Sequence, residues 1–185
     1  MNNRMPEDAE KVPTSSNDFF RLEEWDNKFR VLSNPIVGYE TWIEDENGKK
    51  PVRSKDKLAV EPKNISIGKY WTQFNRYFRA FIAWDYSDNS IKLFQLDKKG
   101  VLSDIQNYLT DEDKANPQDY DMIITKSGSW DKTEYSLRVK DNKKLDKDIQ
   151  SEWDKLKEFV KLDWHFEGEY ILKKAREEQD SQMPF

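Results

Sequence analysis

The 185-residue chain is highly polar: charged and apolar residues each make up 36% of it, and the net charge is -5 at pH 7. Its 7 Trp, 8 Tyr and 10 Phe nevertheless indicate a folded protein with a small, aromatic-rich core, and its length suits one domain with elaborations or at most two small domains. The chain has no Cys, which excludes disulfides and thiolate metal sites. Its single His, His165, is expected to be a packed or surface residue, so we expect no Ser/His/Asp catalytic set.

Other composition features narrow the class of protein further. The few glycines do not recur at the spacing of a phosphate-binding loop. Together with the single His and the absence of Cys, this leads us to expect no enzymatic activity, no cofactor and no metal. No apolar run approaches the roughly 20 residues of a membrane span, and the first ten residues lack the apolar region of a signal peptide. We therefore expect a cytosolic protein without a membrane partner.

The charge is distributed unevenly along the chain. Residues 26–100 hold 14 basic and 10 acidic side chains, a net of +4, whereas the segments on either side are acidic. The positive segment is also the aromatic-rich one, which agrees with a polyanionic partner, although so small an excess also arises by chance.

The first part of the chain predicts an arm followed by a long, interrupted strand. Residues 1–24 are polar and show no apolar period, so we expect a flexible N-terminal arm. Alternation of apolar and polar residues begins at Lys28, breaks at Asn34–Pro35 and resumes over residues 36–44.

A turn, a basic loop and a second hairpin are predicted next. Asn47–Gly48 is a strong signal for a tight hairpin turn. Residues 49–69 carry seven Lys or Arg and are expected to form a long basic loop. The alternating runs 76–85 and 90–96 are joined by the turn residues 87–89 and predict a hairpin.

The rest of the chain predicts a helix, two strands and another helix. Helical spacing covers residues 101–109, and alternation over 119–125 and 133–139 predicts two strands. An apolar stripe indicates a second amphipathic helix, with Ile149, Trp153, Leu156 and Val160 on one face. The chain thus divides into a flexible arm, a β-rich domain, a helical extension and a flexible acidic tail, which comprise residues 1–24, 25–140, 141–175 and 176–185.

This order of elements matches that of a five-stranded OB-fold barrel, whose helix lies between the third and fourth strands. The predicted fold is therefore mostly β with α: an OB-fold barrel with an extra C-terminal helix. The same order is compatible with other small α+β folds.

The predicted strand 76–85 carries large residues on both faces. One face has the character of an ordinary core, with Phe78, Ala80, Ile82, Trp84 and Tyr86. The opposite face continues onto the next strand and combines aromatic rings with cations: Tyr77, Arg79, Phe81, Lys92 and Phe94. If this second face is exposed, bases would stack on its rings while its cations hold phosphates. If it is covered by the C-terminal helix or the basic loop, its rings belong to the core.

Three separated segments resemble a family of phage single-stranded-DNA-binding proteins. KFRVLSNPIVGYETWIEDENGKKPVRS (28–54) is similar to the opening of that family, with its pattern F-R-[VI]-L-x-x-[PA]-I-x-G-[WY]-E-x-W followed by K-P-V-R. Segments 76–96 and 117–139 are similar to its later strands, in the same order. The resemblance covers residues 25–140. It implies an OB fold that binds single-stranded DNA without sequence preference, in phage DNA replication, recombination and repair, within the cytoplasm of the infected bacterial host.

On this resemblance, we expect the second face of the strand 76–85 to be where bases stack. Trp42, Arg53, Arg79 and Phe81 become the best candidates for contact with DNA. The full set of expected DNA-binding residues is Arg30, Tyr39, Trp42, Arg53, Lys55, Lys57, Tyr77, Arg79, Phe81, Lys92 and Phe94. Because Tyr39 and Trp42 fall on opposite faces of their strand, a regular strand would expose at most one of them.

The last residues resemble the acidic C-terminal tails of bacterial single-stranded-DNA-binding proteins, which end in Pro-Phe. The residues that carry this likeness are Glu177, Glu178, Asp180, Pro184 and Phe185. In those proteins the terminal Phe and its carboxylate dock on replication partners, so the likeness implies recruitment of a polymerase, helicase or primase. The present tail is less acidic and contains Arg176, and an ordinary chain end is the alternative. A second copy of the chain is a further candidate partner.

Two other function classes remain open. One is a protein-interaction adaptor that uses Trp153 and its apolar stripe. The other is an OB-fold carbohydrate-binding module, which would also expose aromatic rings but has less use for Arg53, Lys55, Lys57 and Arg79. Neither would bind DNA. Measuring DNA binding at several salt concentrations therefore distinguishes both classes from a single-stranded-DNA-binding protein.

Overall fold

The computed structural model describes residues 18–67, 73–110, 116–129 and 132–182. They form a mostly β structure with α-helices, built on a single antiparallel sheet of seven strands. The strands are β1 (Trp25–Val31), β2 (Ile36–Asp45), β3 (Gly48–Ser54), β4 (Arg76–Asp85), β5 (Ser90–Leu96), β6 (Tyr120–Ser127) and β7 (Glu134–Asn142). The α-helices are α1 (Lys99–Leu109), α2 (Lys147–Leu156) and α3 (Ile171–Gln182). Residues 1–17 of the expected arm lie outside the described residues.

Most of the predicted strands are confirmed. β4 and β5 have the predicted bounds, and the interruption at Asn34–Pro35 separates β1 from β2. The prediction of a loop from residue 49 is wrong for its first part, because residues 48–54 pair with β2 as β3. Gly48 follows the turn between β2 and β3 and has a φ of 103°, a backbone conformation that residues with a Cβ rarely adopt.

β4 lies at the centre of the sheet and has two neighbours along one edge. Its first residues pair with β2, and its last residues, Ala83–Asp85, pair with β1. The other edge pairs with β5 along Arg79–Asp85. β3 extends the sheet beyond β2, while β6 and then β7 extend it beyond β1.

The free edge of β5 is met by the N-terminal segment. Phe20 N–H donates to Leu93 O at 2.9 Å, and Leu93 N–H donates to Asp18 O at 2.8 Å, as in a short parallel bridge. A closed five-stranded barrel is therefore not seen in the described part of the chain, where β5 is bordered by this segment instead of β7. Residues 18–20, which we expected to be part of a flexible arm, are held against the sheet.

Both faces of the sheet carry a core. On the inner face, Phe20, Phe29, Phe81 and Phe94 pack together under α1, with Phe20 and Phe94 stacked at 4.5 Å between ring centroids. On the outer face, β4 and β5 are covered by α2, α3 and the segment between them. Phe78 and Phe81 of the same strand are therefore both buried, on opposite faces.

The C-terminal extension packs closely on the outer face. A short 3-10 helix, Leu162–His165, places Phe166 so near β2 that a Cβ on Gly38 would lie 2.6 Å from the Phe166 ring. α3 continues to Gln182, although the sequence from residue 176 predicts an aperiodic tail. Arg176 also donates to Asp18 at 2.7 Å, which ties α3 to the N-terminal segment.

No helix in the described ranges has the length and apolar character needed to cross a membrane.

Candidate nucleic-acid interface

Four of the predicted DNA-binding residues come together on the inner-face side of β2 and β4. Tyr39 and Tyr77 are direct cross-strand partners, and their rings meet edge to face at 5.8 Å. Arg79 lies two residues along β4 and donates to Tyr77 Oη at 3.3 Å. Lys57 Nζ lies 5.5 Å from the Tyr39 ring centroid. We call these four residues the tyrosine patch.

The tyrosine patch is open to solvent and positively charged. Tyr77 is 38% exposed, and the neighbouring Val37 is 48% exposed. Arg79 is oriented by a 2.6 Å hydrogen bond to Gln106 Oε1 of α1. Among the described residues, neither Arg79 nor Lys57 forms an ion pair with a carboxylate, so both charges are available to an anion.

Trp42 and Arg53, two further predicted residues, lie on the opposite face of the β2–β3 hairpin. They line a cleft of about 490 Å³, whose walls also include Phe19, Lys49 and Arg76. We call it the Trp42 cleft. Tyr39 and Trp42 are both half-buried, so neither ring is fully exposed on its face of β2. The two rings face different sites.

A polar network forms the floor of the Trp42 cleft. Glu40 accepts hydrogen bonds from Trp42 Nε1 at 2.7 Å, from Gln95 Nε2 at 2.8 Å and from Arg53 Nε at 3.0 Å. Arg53 Nε also donates to Gln95 Oε1 at 2.9 Å. Burial lowers the pKa of Arg53 below its ordinary value, while Glu40 opposes that shift.

His165 completes the network from the C-terminal extension. Its Nε2 lies 2.6 Å from Gln95 Oε1, and since an amide oxygen only accepts, the ring proton is on Nε2. Burial, together with the charge of Arg53, lowers the pKa of His165 to about 3, so the ring is neutral near pH 7.

Three of the predicted residues are not exposed. Phe81 and Phe94 are 4% and 2% exposed and belong to the inner core, and Lys92 is 8% exposed. Lys92 forms ion pairs with Asp85, at 3.0 Å, and with Asp88. The expectation that these three side chains are exposed is wrong. The N-terminal segment and α1 cover Phe81 and Phe94, and Lys92 is held by its two ion pairs.

Arg30 is also enclosed, with 1% of its surface exposed. It donates to Asp121 Oδ1 at 2.7 Å and to the carbonyl oxygens of Gln118 and Lys143 at 2.9 Å. Although burial alone would raise the pKa of Asp121, hydrogen bonds from Lys28, Arg30 and Tyr86 hold it below the usual value. Arg30 thus joins β1 to the segments beside β6 and β7, and its burial leaves it closed to a ligand.

The remaining predicted residues are placed as follows. Lys55 is exposed, pairs with Asp163 at 3.0 Å and lies 5.6 Å from the Phe166 ring centroid. Glu177, Glu178 and Asp180 lie on α3, where Glu178 pairs with Lys161 at 3.4 Å. Pro184 and Phe185 lie outside the described residues.

Sequence reasoning missed Glu40 and Gln95. Glu40 is 4% exposed and lies directly opposite Arg53 in the hairpin. A correct pairing register for β2 and β3 would have revealed that contact from the sequence, but Gln95 comes from β5 and carries no local signal. The parts of the chain that are described contain no group of three or more His, Asp or Glu placed to hold a metal ion.

Comparison of the chain with protein-family models, with curated proteins and with solved structures finds no match in any of the three.

Proposed function

We propose that this protein binds single-stranded DNA without sequence preference and that the tyrosine patch is its base-stacking surface. The observation that carries the proposal is the meeting of two solvent-accessible tyrosine rings with Arg79 and Lys57, whose charges no described carboxylate neutralises. Aromatic rings stack on any base, and cations follow the phosphates, so this combination suits single strands of any sequence. In a duplex the base faces are already stacked and unavailable.

The strand pairings support an OB-type barrel as the underlying fold. In that interpretation, β1 and β2 together form the first strand, and β4, β5, β6 and β7 are the other four. The pairings β2 and β1 with β4, β4 with β5, β1 with β6, and β6 with β7 follow the expected topology. The N-terminal segment takes the place of the closing pair on β5.

The biological role we propose rests on the sequence resemblance. The protein would protect single-stranded DNA during phage replication, recombination and repair in the host cytoplasm. Its C-terminal end, with Phe185, would recruit a polymerase, helicase or primase, as terminal carboxylates are captured in other recognition modes.

Fluorescence anisotropy with labelled oligo-dT and a matched duplex tests the proposal. We expect tight binding to the single strand, weaker binding to the duplex, and a log K that falls with log salt by about 0.7 per phosphate contact. Tyr77→Ala should weaken binding by about 1–3 kcal/mol if its ring stacks on a base. Tyr170→Ala is the matched control, because Tyr170 is 49% exposed but lies on the C-terminal extension.

Absence of oligo-dT binding at low salt would refute the proposal. Equal losses for Tyr77→Ala and Tyr170→Ala would leave DNA binding in place but remove the tyrosine patch as its site. Salt-independent binding of oligosaccharides in the same assay would favour the carbohydrate-binding module instead.

A further inference from the structure

Glu40 is a buried carboxylate that fixes two side chains of the Trp42 cleft at once. One of its oxygens accepts from the Trp42 indole, and the other accepts from Arg53 and Gln95. The indole plane and the guanidinium are therefore both held in place before any ligand arrives. Side chains that are fixed before binding lose less conformational entropy when a ligand binds, so this arrangement favours a ligand site.

Arg53 is held by one end only. Its Nε is occupied by Glu40 and Gln95, while neither of its two terminal nitrogens donates to another described residue. Its side chain is 14% exposed and lines the cleft. The planar fork of a guanidinium matches the oxygens of a phosphate, and anchoring at Nε leaves the terminal nitrogens for that contact.

The other walls of the cleft agree with a ligand that is both aromatic and anionic. Three cations, Lys49, Arg53 and Arg76, line it against two carboxylates, Glu40 and Asp97. Glu40 pairs with Arg53, and Asp97 pairs with Arg76 and Lys98, so the lining keeps a net charge of +1. The volume of about 490 Å³ lies within the roughly 300–1,000 Å³ of small-ligand sites.

We propose that the Trp42 cleft is a second nucleotide subsite of the bound strand, in which a base stacks on Trp42 and its phosphate is held by Arg53. Glu40 is the positioning residue for both. This subsite rests on the proposed function, since its ligand is a unit of single-stranded DNA. The strand reaches it from the tyrosine patch around β3, the edge strand that separates the two faces of the hairpin.

The direction in which Glu40→Gln changes the affinity for oligo-dT distinguishes a positioning role of Glu40 from a purely electrostatic one. Glu40→Gln removes a negative charge, which on charge alone would tighten binding to a polyanion. If Glu40 positions Arg53 and Trp42, the same change should instead weaken oligo-dT binding, by about tenfold, because the charge-assisted anchor is lost. Glu44→Gln is the matched control: Glu44 is on the same face of β2, is exposed and pairs with Lys49 at 3.8 Å. It should bind equally or slightly more tightly.

An NMR measurement on the unmodified protein tests whether Trp42 contacts the bound strand, even if Glu40→Gln destabilises the fold. The indole N–H signal of Trp42 is assigned in a ¹⁵N spectrum by its disappearance in Trp42→Phe. We expect this signal to shift on titration with oligo-dT, while the signal of Trp164, on the C-terminal extension, stays in place.

The outcomes distinguish the two proposals. An unmoved Trp42 signal under conditions where oligo-dT binds overturns the subsite and leaves the proposed function standing. Weaker binding by folded Glu40→Gln, with a shifted Trp42 signal in the unmodified protein, supports the subsite. No binding of oligo-dT by the unmodified protein refutes the proposed function, and the subsite with it.

Discussion

Tyr77 and Phe81 lie on the same face of β4, four residues apart, yet Tyr77 is 38% exposed and Phe81 is 4% exposed. Strand periodicity treats these positions as equivalent. The difference comes from what covers them. Phe81 lies within the inner core with Phe20, Phe94 and α1, whereas Tyr77 lies beyond that core, beside Tyr39 of β2. Alternation along a strand therefore tells which residues share a face, and the covering elements decide which part of that face is open to solvent.

The largest expected effect tests the buried half of β4. Phe81→Ala should lower the free energy of unfolding by about 3–5 kcal/mol, because it leaves a cavity among packed rings. Urea unfolding measures the loss, with Tyr77→Ala as the control that should change stability far less. The folded fraction of Phe81→Ala should bind oligo-dT normally. Normal stability with lost binding would show that Phe81 is open to the ligand.

A second comparison concerns two arginines that the sequence treats alike, Arg30 and Arg79. Arg30→Ala should cost about 3 kcal/mol of stability, because it removes one partner of a buried ion pair and leaves Asp121 under-compensated. Arg79→Ala should leave the free energy of unfolding nearly unchanged, since its side chain reaches solvent. Thermal melts of both variants check this, and equal melting temperatures would contradict the assignment of Arg30 to the interior.

The outer face offers a pH test through His165, whose ring meets the buried Phe78 edge to face at 5.5 Å. Its pKa is about 3 when folded and 6.5 when unfolded, so between these values the unfolded chain binds a proton that the folded chain does not. Stability is therefore lost as the pH falls below 6.5, by about 2 kcal/mol at pH 5. His165→Gln should remove that part of the decline in urea unfolding. The two proteins should have parallel profiles between pH 7 and pH 9, and parallel profiles down to pH 5 would argue against a buried, neutral His165.

The smallest expected effect concerns Arg79, in the exposed half of β4, and its contact with phosphate. Arg79→Gln should reduce the slope of log K against log salt by about 0.7, the amount for one phosphate contact on a single strand. Arg138→Gln is the matched control, because Arg138 is an exposed arginine of β7 that pairs with Asp26. An unchanged slope for Arg79→Gln would mean that this cation does not meet a phosphate.

Much of the candidate site could be predicted from the sequence. The tyrosine patch consists entirely of predicted residues, and so do Trp42 and Arg53 of the cleft. What could not be predicted is how they are divided between two faces. Taking Asn47–Gly48 as the central pair of the hairpin turn would place Arg53 opposite Trp42, whereas the observed turn places it opposite Glu40. A shift of two residues keeps every side chain on its face but changes each cross-strand contact.

The sequence by itself determined the elements whose signals are local. The bounds of β4 and β5, the break before β2 and the helix after β5 follow from alternation, turn residues and helical spacing. Only the tertiary structure decided which surfaces remain open, because that depends on contacts between segments far apart in the chain. Phe20, for example, is hydrogen-bonded to Leu93 of β5 through the backbone. Likewise, α3 is helical through a stretch with no apolar period because Ile171, Leu172 and Ala175 at its start pack on the sheet. Burial is a property of the assembled layers, so no pattern within one strand records it.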